Sequence, residues 1–279
     1  MNNKKEILLF LEKHADLVAA ENFVDLYNAA QHDDDIWPAL LTETLWNADI
    51  DPMQYFHEKL PGYFAEGLSI EKFEVAEGIS VICDQAFKDC YKLTSVKLPN
   101  SLTAIRYKAF NSCSKMKEIN FPEGLITIED EAFEWCTDLK KVHLPDSLTT
   151  LGMEAFDVCS SIEEVTLSNR LTRIPFRAFA GNHGLTSLTF PASIEYIDRK
   201  AFEDCSITDL TFLGTTPPDM VATAFANNPI KHITFNGTMK TWIEEASTQA
   251  FDSKIAIEVS CADGEVIKNP GTDEEWRVK

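Results

Sequence analysis

An Ala-Phe pair that recurs with a fixed 23-residue period is the feature that most constrains how this chain can fold. The pair occurs seven times without drift, at Ala86-Phe87, Ala109-Phe110, Ala132-Phe133, Ala155-Phe156, Ala178-Phe179, Ala201-Phe202 and Ala224-Phe225. A fixed period of about 20–50 residues is typical of a solenoid, in which each repeat forms one coil and stacks on the next. We therefore expect a rod of stacked coils.

Within one repeat, the apolar residues mark a strand, a return segment and a turn. Val96-Lys97-Leu98 alternates with period two, which predicts a strand with one inward face, and Pro99 ends it because proline cannot donate to a ladder. Residues 102–105 predict a second short extended piece, and Ala109-Phe110 a tight helical turn whose Phe fills the coil. One coil buries too little apolar surface to offset ordering its backbone, so neighbouring coils must share a core.

The run L-x-x-V-x-L-P-x-x-L-x-x-I-x-x-x-A-F-x-x-C resembles the BspA-like bacterial leucine-rich repeats over about residues 61–260. The closing segments, Phe235-Asn-Gly-Thr with Trp242 and then Cys261-Ala-Asp-Gly, resemble the C-terminal cap of that family. The resemblance implies a leucine-rich repeat solenoid, mostly β with short helical turns, wound as a curved right-handed rod. Members are typically surface adhesion or host-binding proteins, so it also implies a binding module without catalytic residues.

Four regions follow from these patterns. We predict an acidic, all-α helical N-terminal domain at 1–60, a solenoid of 23-residue coils at 61–235, a C-terminal cap at 236–268 and a polar tail at 269–279. The helical period of the apolar residues at 7–18 supports the first region, and Tyr63-Phe64, one 23-residue period before Ala86-Phe87, places its boundary near Pro61. The helical domain either caps the first coil or binds a partner of its own.

The repeat changes at its far end. One residue is missing after Cys205, and Gly214-Thr-Thr-Pro-Pro218 restores the spacing. Residues 238–247 predict a short helix that carries Trp242, and residues 255–259 predict a strand that leads to a hairpin turn at Asp263-Gly264. The last dozen residues are polar, and we expect them to be loose.

The net charge of the chain limits the classes of partner that we expect it to bind. It carries 45 acidic and 25 basic residues, a net charge of −20, which argues against nucleic acid and anionic membrane surfaces. Because no apolar run approaches about 18 residues, we expect no membrane insertion. The expected partner is a protein.

The first residues bear on localisation. The apolar run ILLFL is only five residues long and is broken by Glu12, whereas a signal peptide needs about 7–15 apolar residues and a cleavage site of small residues. We therefore predict a cytoplasmic protein. The family resemblance implies the alternative, a cell-surface or secreted location.

Five of the seven cysteines share one repeat position, at Cys90, Cys113, Cys136, Cys159 and Cys205. Asn182 and Asn228 replace cysteine at the same position, which indicates a small group that bonds the backbone at a turn. Stacked cysteines can form disulfides, but we expect a column of buried free thiols. Zinc is not expected, because no Cys-x-x-Cys spacing occurs.

The chain lacks the patterns that mark catalysis. It has no HExxH motif and no Gly-rich phosphate loop, and none of its six histidines is spaced with Cys or Ser as in a nucleophilic site. We predict a non-enzymatic protein without a catalytic site, metal or cofactor.

The candidate binding residues lie on the outward side of the predicted strands. They are Lys97, Lys117, Asn120, Lys140, Lys141, His143 and Thr166, with Trp135 added as an aromatic residue at a position that is otherwise small or polar. Lys115, Lys117, Lys140 and Lys141 cluster at the second and third of these strands and predict a basic patch on an acidic protein. Thr and Lys are also common on exposed strands that bind nothing, and Trp135 either anchors an interface or lies flat over a neighbouring coil.

Three functional hypotheses remain. The first is a protein-binding solenoid that uses its exposed strand face, the second a two-part adaptor whose helical domain binds a second partner, and the third a cell-surface adhesin. We favour the first, because long regular surfaces are how solenoids bind.

Overall fold

From residue 58 onward the chain winds into stacked coils in the computed structural model. The structure describes residues 13–14, 29, 58–251, 254–270 and 275–279. The predicted all-α domain at 1–60 falls largely outside the described residues, and its last two residues already form the first strand of the solenoid. The described part of the solenoid therefore already includes Lys59–Leu60, two residues before the predicted boundary near Pro61.

Each coil contributes one short strand to the back of the solenoid. Numbered in chain order, these back strands are β1 Lys59–Leu60, β3 Val81–Ile82, β5 Ala104–Ile105, β7 Thr127–Ile128, β9 Thr150–Leu151, β11 Arg173–Ile174, β13 Tyr196–Ile197 and β15 Asp219–Met220. They pair in parallel as β1-β3-β5-β7-β9 and β11-β13-β15. They are the predicted return segments, confirmed.

The front strands are mostly longer, and their buried residues alternate with more exposed ones. They are β2 Lys72–Glu74, β4 Ser95–Lys97, β6 Glu118–Ile119, β8 Lys141–His143, β10 Glu164–Thr166, β12 Ser187–Phe190, β14 Asp209–Phe212 and β16 His232–Phe235. All pair in parallel, within three groups that separate between β6 and β8 and between β10 and β12. The predicted strand with one inward face is confirmed.

A continuous column of phenylalanine rings fills the centre of the coils. Successive rings from Phe87 to Phe225 stack face to face, with centroids 5.0–5.5 Å apart and planes within 8° of parallel. Phe251 extends the column by one ring, 5.3 Å from Phe225. These rings are fully or nearly fully buried. The alanine before each Phe lets the coils approach closely enough for the rings to touch.

Phe251 belongs to an eighth Ala-Phe pair that the period does not reveal. Ala250-Phe251 follows Ala224-Phe225 after a longer interval than the period, because the cap helix lies between them. Its backbone nevertheless takes the usual position, since the Phe225 amide donates to the Ala250 carbonyl at 3.0 Å.

The turn at each of the seven periodic Ala-Phe pairs consists of successive β-turns between two left-handed residues, instead of the predicted helical turn. In one coil these residues are Glu131 and Trp135, with φ of 55° and 63°. Their amides donate to carbonyls of the next coil, Glu131 to Met153 at 2.8 Å and Trp135 to Asp157 at 2.9 Å. The left-handed conformation costs about 1–2 kcal/mol for a residue with a side chain, and these hydrogen bonds offset that cost.

The first coil is one residue shorter than predicted. β1 pairs with β3 so that Lys59 lies opposite Val81, and the left-handed Tyr63 corresponds to Gln85. Phe64 therefore takes the position of Ala86 and packs edge-on against Phe87, at 6.2 Å and 69°. The predicted match of Tyr63-Phe64 to Ala86-Phe87 is wrong by one residue, because the ladder and not the aromatic residue sets the register.

The cysteine column bonds the backbone as predicted. Each of the five buried thiols donates to a main-chain carbonyl of the preceding coil, as Cys113 does to Phe87 at 3.1 Å. Asn182 and Asn228 replace this bond with side-chain amides that donate to the same kind of carbonyl. All seven cysteines are free. Burial raises the pKa of Cys90 and of Cys205 to about 12.

The C-terminal segment closes the solenoid. Helix α1, Met239–Glu245, buries Trp242, and a 3-10 helix follows at Thr248–Ala250. Strand β17, Ile257–Cys261, pairs in parallel with β16, and the antiparallel strands β18, Gly264–Lys268, and β19, Arg277–Val278, complete the sheet.

The tail is not loose where the structure describes it. The Trp276 ring is buried against Trp242 at 5.5 Å, and its indole nitrogen donates to the Ala246 carbonyl at 3.0 Å. One large apolar ring therefore ties down a segment whose other residues are mostly polar.

Replacing Phe156 with Ala should strongly destabilise the solenoid. Truncating a buried Phe typically costs about 3–5 kcal/mol, and this one lies in the middle of the ring column. We expect the urea midpoint, followed by far-UV circular dichroism, to fall sharply, and the transition to broaden as the two halves uncouple. Thr166→Ala on the exposed surface is the control and should change stability by no more than about 0.5 kcal/mol. A Phe156→Ala midpoint equal to that of the control would contradict the ring column as the core.

Thiol titration should separate the cysteines into two classes. In the native protein only Cys83 and Cys261, which are partly exposed, should react with a thiol reagent, and slowly, because burial raises the pKa of both. All seven thiols should react in denaturant. Rapid native reaction of more than two thiols would show that the column is not buried.

Candidate binding surface

The front strands present a regular polar surface, which we call the strand face. In β8, for example, Val142 is buried and Lys141 and His143 are exposed. Strand pairing aligns such residues in two columns that run along the solenoid. The first column contains Lys72, Ser95, Glu118, Lys141, Glu164, Ser187, Asp209, His232 and Glu258, and the second contains Glu74, Lys97, Asn120, His143, Thr166, Thr189, Thr211, Thr234 and Ser260.

The structure brings seven of the eight predicted residues to this side of the coils. Five lie in the two columns, and the lysines Lys117 and Lys140 stand directly before β6 and β8. Trp135 is placed elsewhere, at the left-handed position of a turn between the back and front strands. His143 and Thr166, neighbours in one column, are in contact, with Nδ1 and Oγ1 at 3.0 Å.

The predicted basic patch is largely neutralised by acidic residues of neighbouring coils. Lys141 pairs with Glu164 at 2.7 Å, Lys140 with Glu163 at 3.8 Å and Lys97 with Glu74 at 2.5 Å. Water screens such exposed pairs, so they order the surface more than they stabilise it. Lys117 is exposed and has no ion pair within the described part of the chain.

Trp135 is half exposed, so about half of its surface packs against the protein and the rest is open to solvent. Its indole nitrogen donates to the Glu134 carboxylate at 3.0 Å. Four of the corresponding residues, Asp89, Gly181, Asp204 and Asn227, are types that tolerate positive φ, whereas Trp135 and the β-branched Val158 do not favour it.

A second set of charged residues, which we call the turn network, surrounds the Ala-Phe turns. Lys108 pairs with Glu131 at 2.9 Å, and Arg177 grips the buried Asp157 through two nitrogens, at 2.9 and 3.0 Å. Arg177 also reaches Glu203 at 2.9 Å. Removing one partner would leave a charge unpaired in a poorly solvated site, so the network holds adjacent coils in register.

Glu134 is the most perturbed acid of the turn network. Burial, and then its hydrogen bond with Glu131, raise its pKa to about 7. The Asn111 side-chain amide donates to Oε2 of Glu134 at 2.7 Å, and the Trp135 indole donates to Oε1. Near neutral pH the two carboxyl groups therefore share a proton.

The only residues that suggest a metal site in the described ranges are Glu131, Glu134 and Glu154, whose carboxylate oxygens lie within 4.8 Å of one another. The Lys108 ammonium already compensates Glu131, and the shared proton compensates Glu134. Because a cation would have to displace both, the arrangement suits proton sharing better than metal binding.

The strand face also contains a shallow cleft of about 340 Å³ between β10 and β12. Its floor is apolar, with Leu167 and Leu188, and its rim carries Glu163 and the half-exposed Leu213. Sequence reasoning missed this cleft and the turn network. The turn network could have been found by aligning the repeats in columns, since opposite charges recur at nearly the interval of one coil.

Comparison with known protein families gives a clear match. A family model described as the BspA type leucine-rich repeat region matches in six copies, over residues 60–183, 103–217 and 173–259. Together these matches span most of the chain. A comparison with curated proteins finds no match.

The fold is similar to that of solved repeat proteins. A leucine-rich repeat protein from Bacteroides ovatus ATCC 8483 shares 21% identity and a TM-score of 0.50, over 64% of this chain and 59% of that one. A T. pallidum leucine-rich repeat protein shares 24% identity and a TM-score of 0.46, over 56% and 66%. This chain thus spans less than two thirds of either relative. The first likeness supports the fold alone, and the second is too weak to carry an argument.

The described residues include no helix that is both long enough and apolar enough to cross a bilayer.

The raised pKa of Glu134 predicts a pH-dependent stability. Its pKa lies near 7 in the folded chain and at the ordinary 4.5 in the unfolded chain, so between these values only the folded state keeps the proton. Stability should therefore fall as pH rises through this window. Glu134→Gln removes the ionisation and should raise the melting temperature by a few degrees at pH 8 and barely at pH 5.

The exposed Glu118→Gln is the matched control and should leave the melting temperature unchanged at both values. An equal effect of Glu134→Gln at pH 5 and pH 8 would contradict the shared proton.

Proposed function

Because the chain belongs to the BspA-type leucine-rich repeat family, we propose that it is a non-enzymatic protein-binding module whose strand face contacts a protein partner. The observation that carries this proposal is the alignment of two columns of exposed side chains on in-register strands. The strands of a sheet lie about 4.8 Å apart, so nine of them form a surface about 40 Å long. That length suits an interface of ordinary size.

The charges of the strand face favour selectivity. Lys97, Lys140 and Lys141 are paired with acidic residues, so a partner gains little from meeting them with a single acidic group. A partner that matches both signs, acid against lysine and base against glutamate, would preserve every pair. Charge complementarity of this kind sets association rate and partner choice more than affinity.

Lys117 and Trp135 are the predicted residues best able to add affinity. Lys117 offers a cation that no described acid neutralises, and Trp135 offers a half-exposed ring that a hydrogen bond already orients. Asn120, His143 and Thr166 complete the surface as hydrogen-bonding groups. Since Trp135 lies off the strand face, a partner that uses both must wrap around the edge of the solenoid.

The proposal includes a cytoplasmic location, with a cell-surface adhesin and a two-part adaptor as alternatives. Seven free cysteines support a reducing compartment such as the cytoplasm, because secreted proteins tend to form disulfides. A cell-surface adhesin would use the same strand face outside the cell. A two-part adaptor would add a second partner at the predicted helical domain of residues 1–60.

Reversing Lys117, Lys140 and Lys141 to Glu should weaken binding of the partner by about tenfold or more, because it removes the free cation and places like charges beside Glu163 and Glu164. The measurement is an affinity pull-down from the source lysate read by mass spectrometry, followed by calorimetry with the recovered protein.

The matched control reverses Arg170, Arg199 and Lys240, which are exposed, lie off the strand face and give the same change in net charge. A partner recovered with the wild type and the control but lost with the strand-face variant is the expected result. Recovery of the same proteins with all three would exclude this part of the strand face as the binding site.

A further inference from the structure

The cleft between β10 and β12 lies at an interruption of the front ladder, which is also interrupted between β6 and β8. β10 and β12 follow one another along the solenoid but are not joined as a ladder, unlike β8 and β10 or β12 and β14. The lining of the cleft therefore comes from both sides of the interruption.

The lining of the cleft combines an apolar floor with a polar rim. Leu167, Leu188 and Val165 line the cleft but are almost fully buried, so Leu213 supplies most of its exposed apolar surface. Thr166, Ser187 and Thr189 add hydroxyl groups around it, so a ligand that enters can pair its polar groups.

Leu213 forms an apolar side of the cleft and is 46% exposed. Its backbone is fixed on both sides, since its amide donates to Phe190 at 3.0 Å and its carbonyl accepts from Asn236 at 3.1 Å. An exposed Leu on a rigid backbone loses little conformational entropy when a partner covers it.

The rim carries negative charge. Glu164 is tightly paired with Lys141 at 2.7 Å, but Glu163 reaches Lys140 only at 3.8 Å, and both members of that pair are 62% exposed. Glu163 is therefore weakly compensated and open to a second cation. The chain as a whole, with a net charge of −20, attracts basic partners over a longer range.

From this geometry we infer that the cleft is the anchor site of the strand face and takes a segment of a protein partner in which an apolar side chain stands next to Lys or Arg. The apolar side chain occupies the floor beside Leu213, and the cation pairs with Glu163. This inference rests on the proposed protein-binding function and adds the chemistry of the partner.

The test is selection of a phage-displayed library of random linear peptides on the intact chain. Enriched peptides should contain an apolar residue beside Lys or Arg, and a synthetic peptide of that pattern should bind in fluorescence anisotropy. Leu213→Ala should weaken it about tenfold or more, as expected for an anchor residue. Met153→Ala is the matched control, since Met153 is equally exposed but belongs to a turn, and it should have no effect.

A charge swap keeps the test independent of any effect on folding. Glu163→Lys should abolish binding of the basic peptide and restore it for the same peptide with Glu in place of its Lys or Arg. Circular dichroism confirms that each variant is folded.

The possible failures are distinguishable. Enriched peptides that lack the pattern, or that bind Leu213→Ala and the wild type equally, overturn the cleft. If these peptides, which do not depend on the cleft, no longer bind the variant in which Lys117, Lys140 and Lys141 are reversed to Glu, the strand face still binds protein. Only the assignment of its anchor site is then wrong. If no peptide is enriched, the cleft is overturned, and the pull-down of the preceding subsection decides the wider function. Binding that grows with chain concentration and needs no peptide would overturn the peptide site and assign the cleft to a second copy of the chain.

Discussion

The ladder of hydrogen bonds between the turns of adjacent coils is the constraint on which the rest of this structure depends. Two residues per turn adopt a left-handed backbone so that their amides reach the next coil, as Glu131 reaches Met153. This ladder sets the axial spacing, and the spacing in turn lets the phenylalanine rings stack at 5.0–5.5 Å. The ring column, the thiol column and the aligned charges on both surfaces are consequences of one register.

The sequence predicts the repeating part of this fold well, because one physical requirement recurs in each coil. Each coil needs a small Ala, so that neighbouring coils can touch, and a large Phe, which fills the centre of the coil. That requirement is visible as a 23-residue period. The prediction is weaker where the hydrogen-bond ladder continues but the number of residues in a coil departs from 23. Phe64 is displaced by one residue, and Ala250-Phe251 comes later than the period requires, yet both take positions in the stack or beside it.

The candidate binding surface is likewise predicted only in part from the sequence. Alternation along a strand predicts which side chains face outward, and Lys141 and His143 do so. It does not predict which ion pairs these side chains form, because the partner of each charged residue belongs to the neighbouring coil. The charge of that partner must be taken from another repeat of the sequence. Lys141 therefore looked free and is paired with Glu164. The left-handed conformation of Trp135 was equally hidden, since only Asp89, Gly181, Asp204 and Asn227 at that position indicate it.

The front ladder is interrupted twice and the back ladder once, between β9 and β11, whereas the ring column runs through all of these points. The coils on either side of each interruption are therefore held together mainly by the rings and by the hydrogen bonds between turns, such as that from the Phe156 amide to the Ala178 carbonyl at 2.9 Å. The core and the turns are thus continuous along the rod, whereas the strand ladders around them are divided into segments.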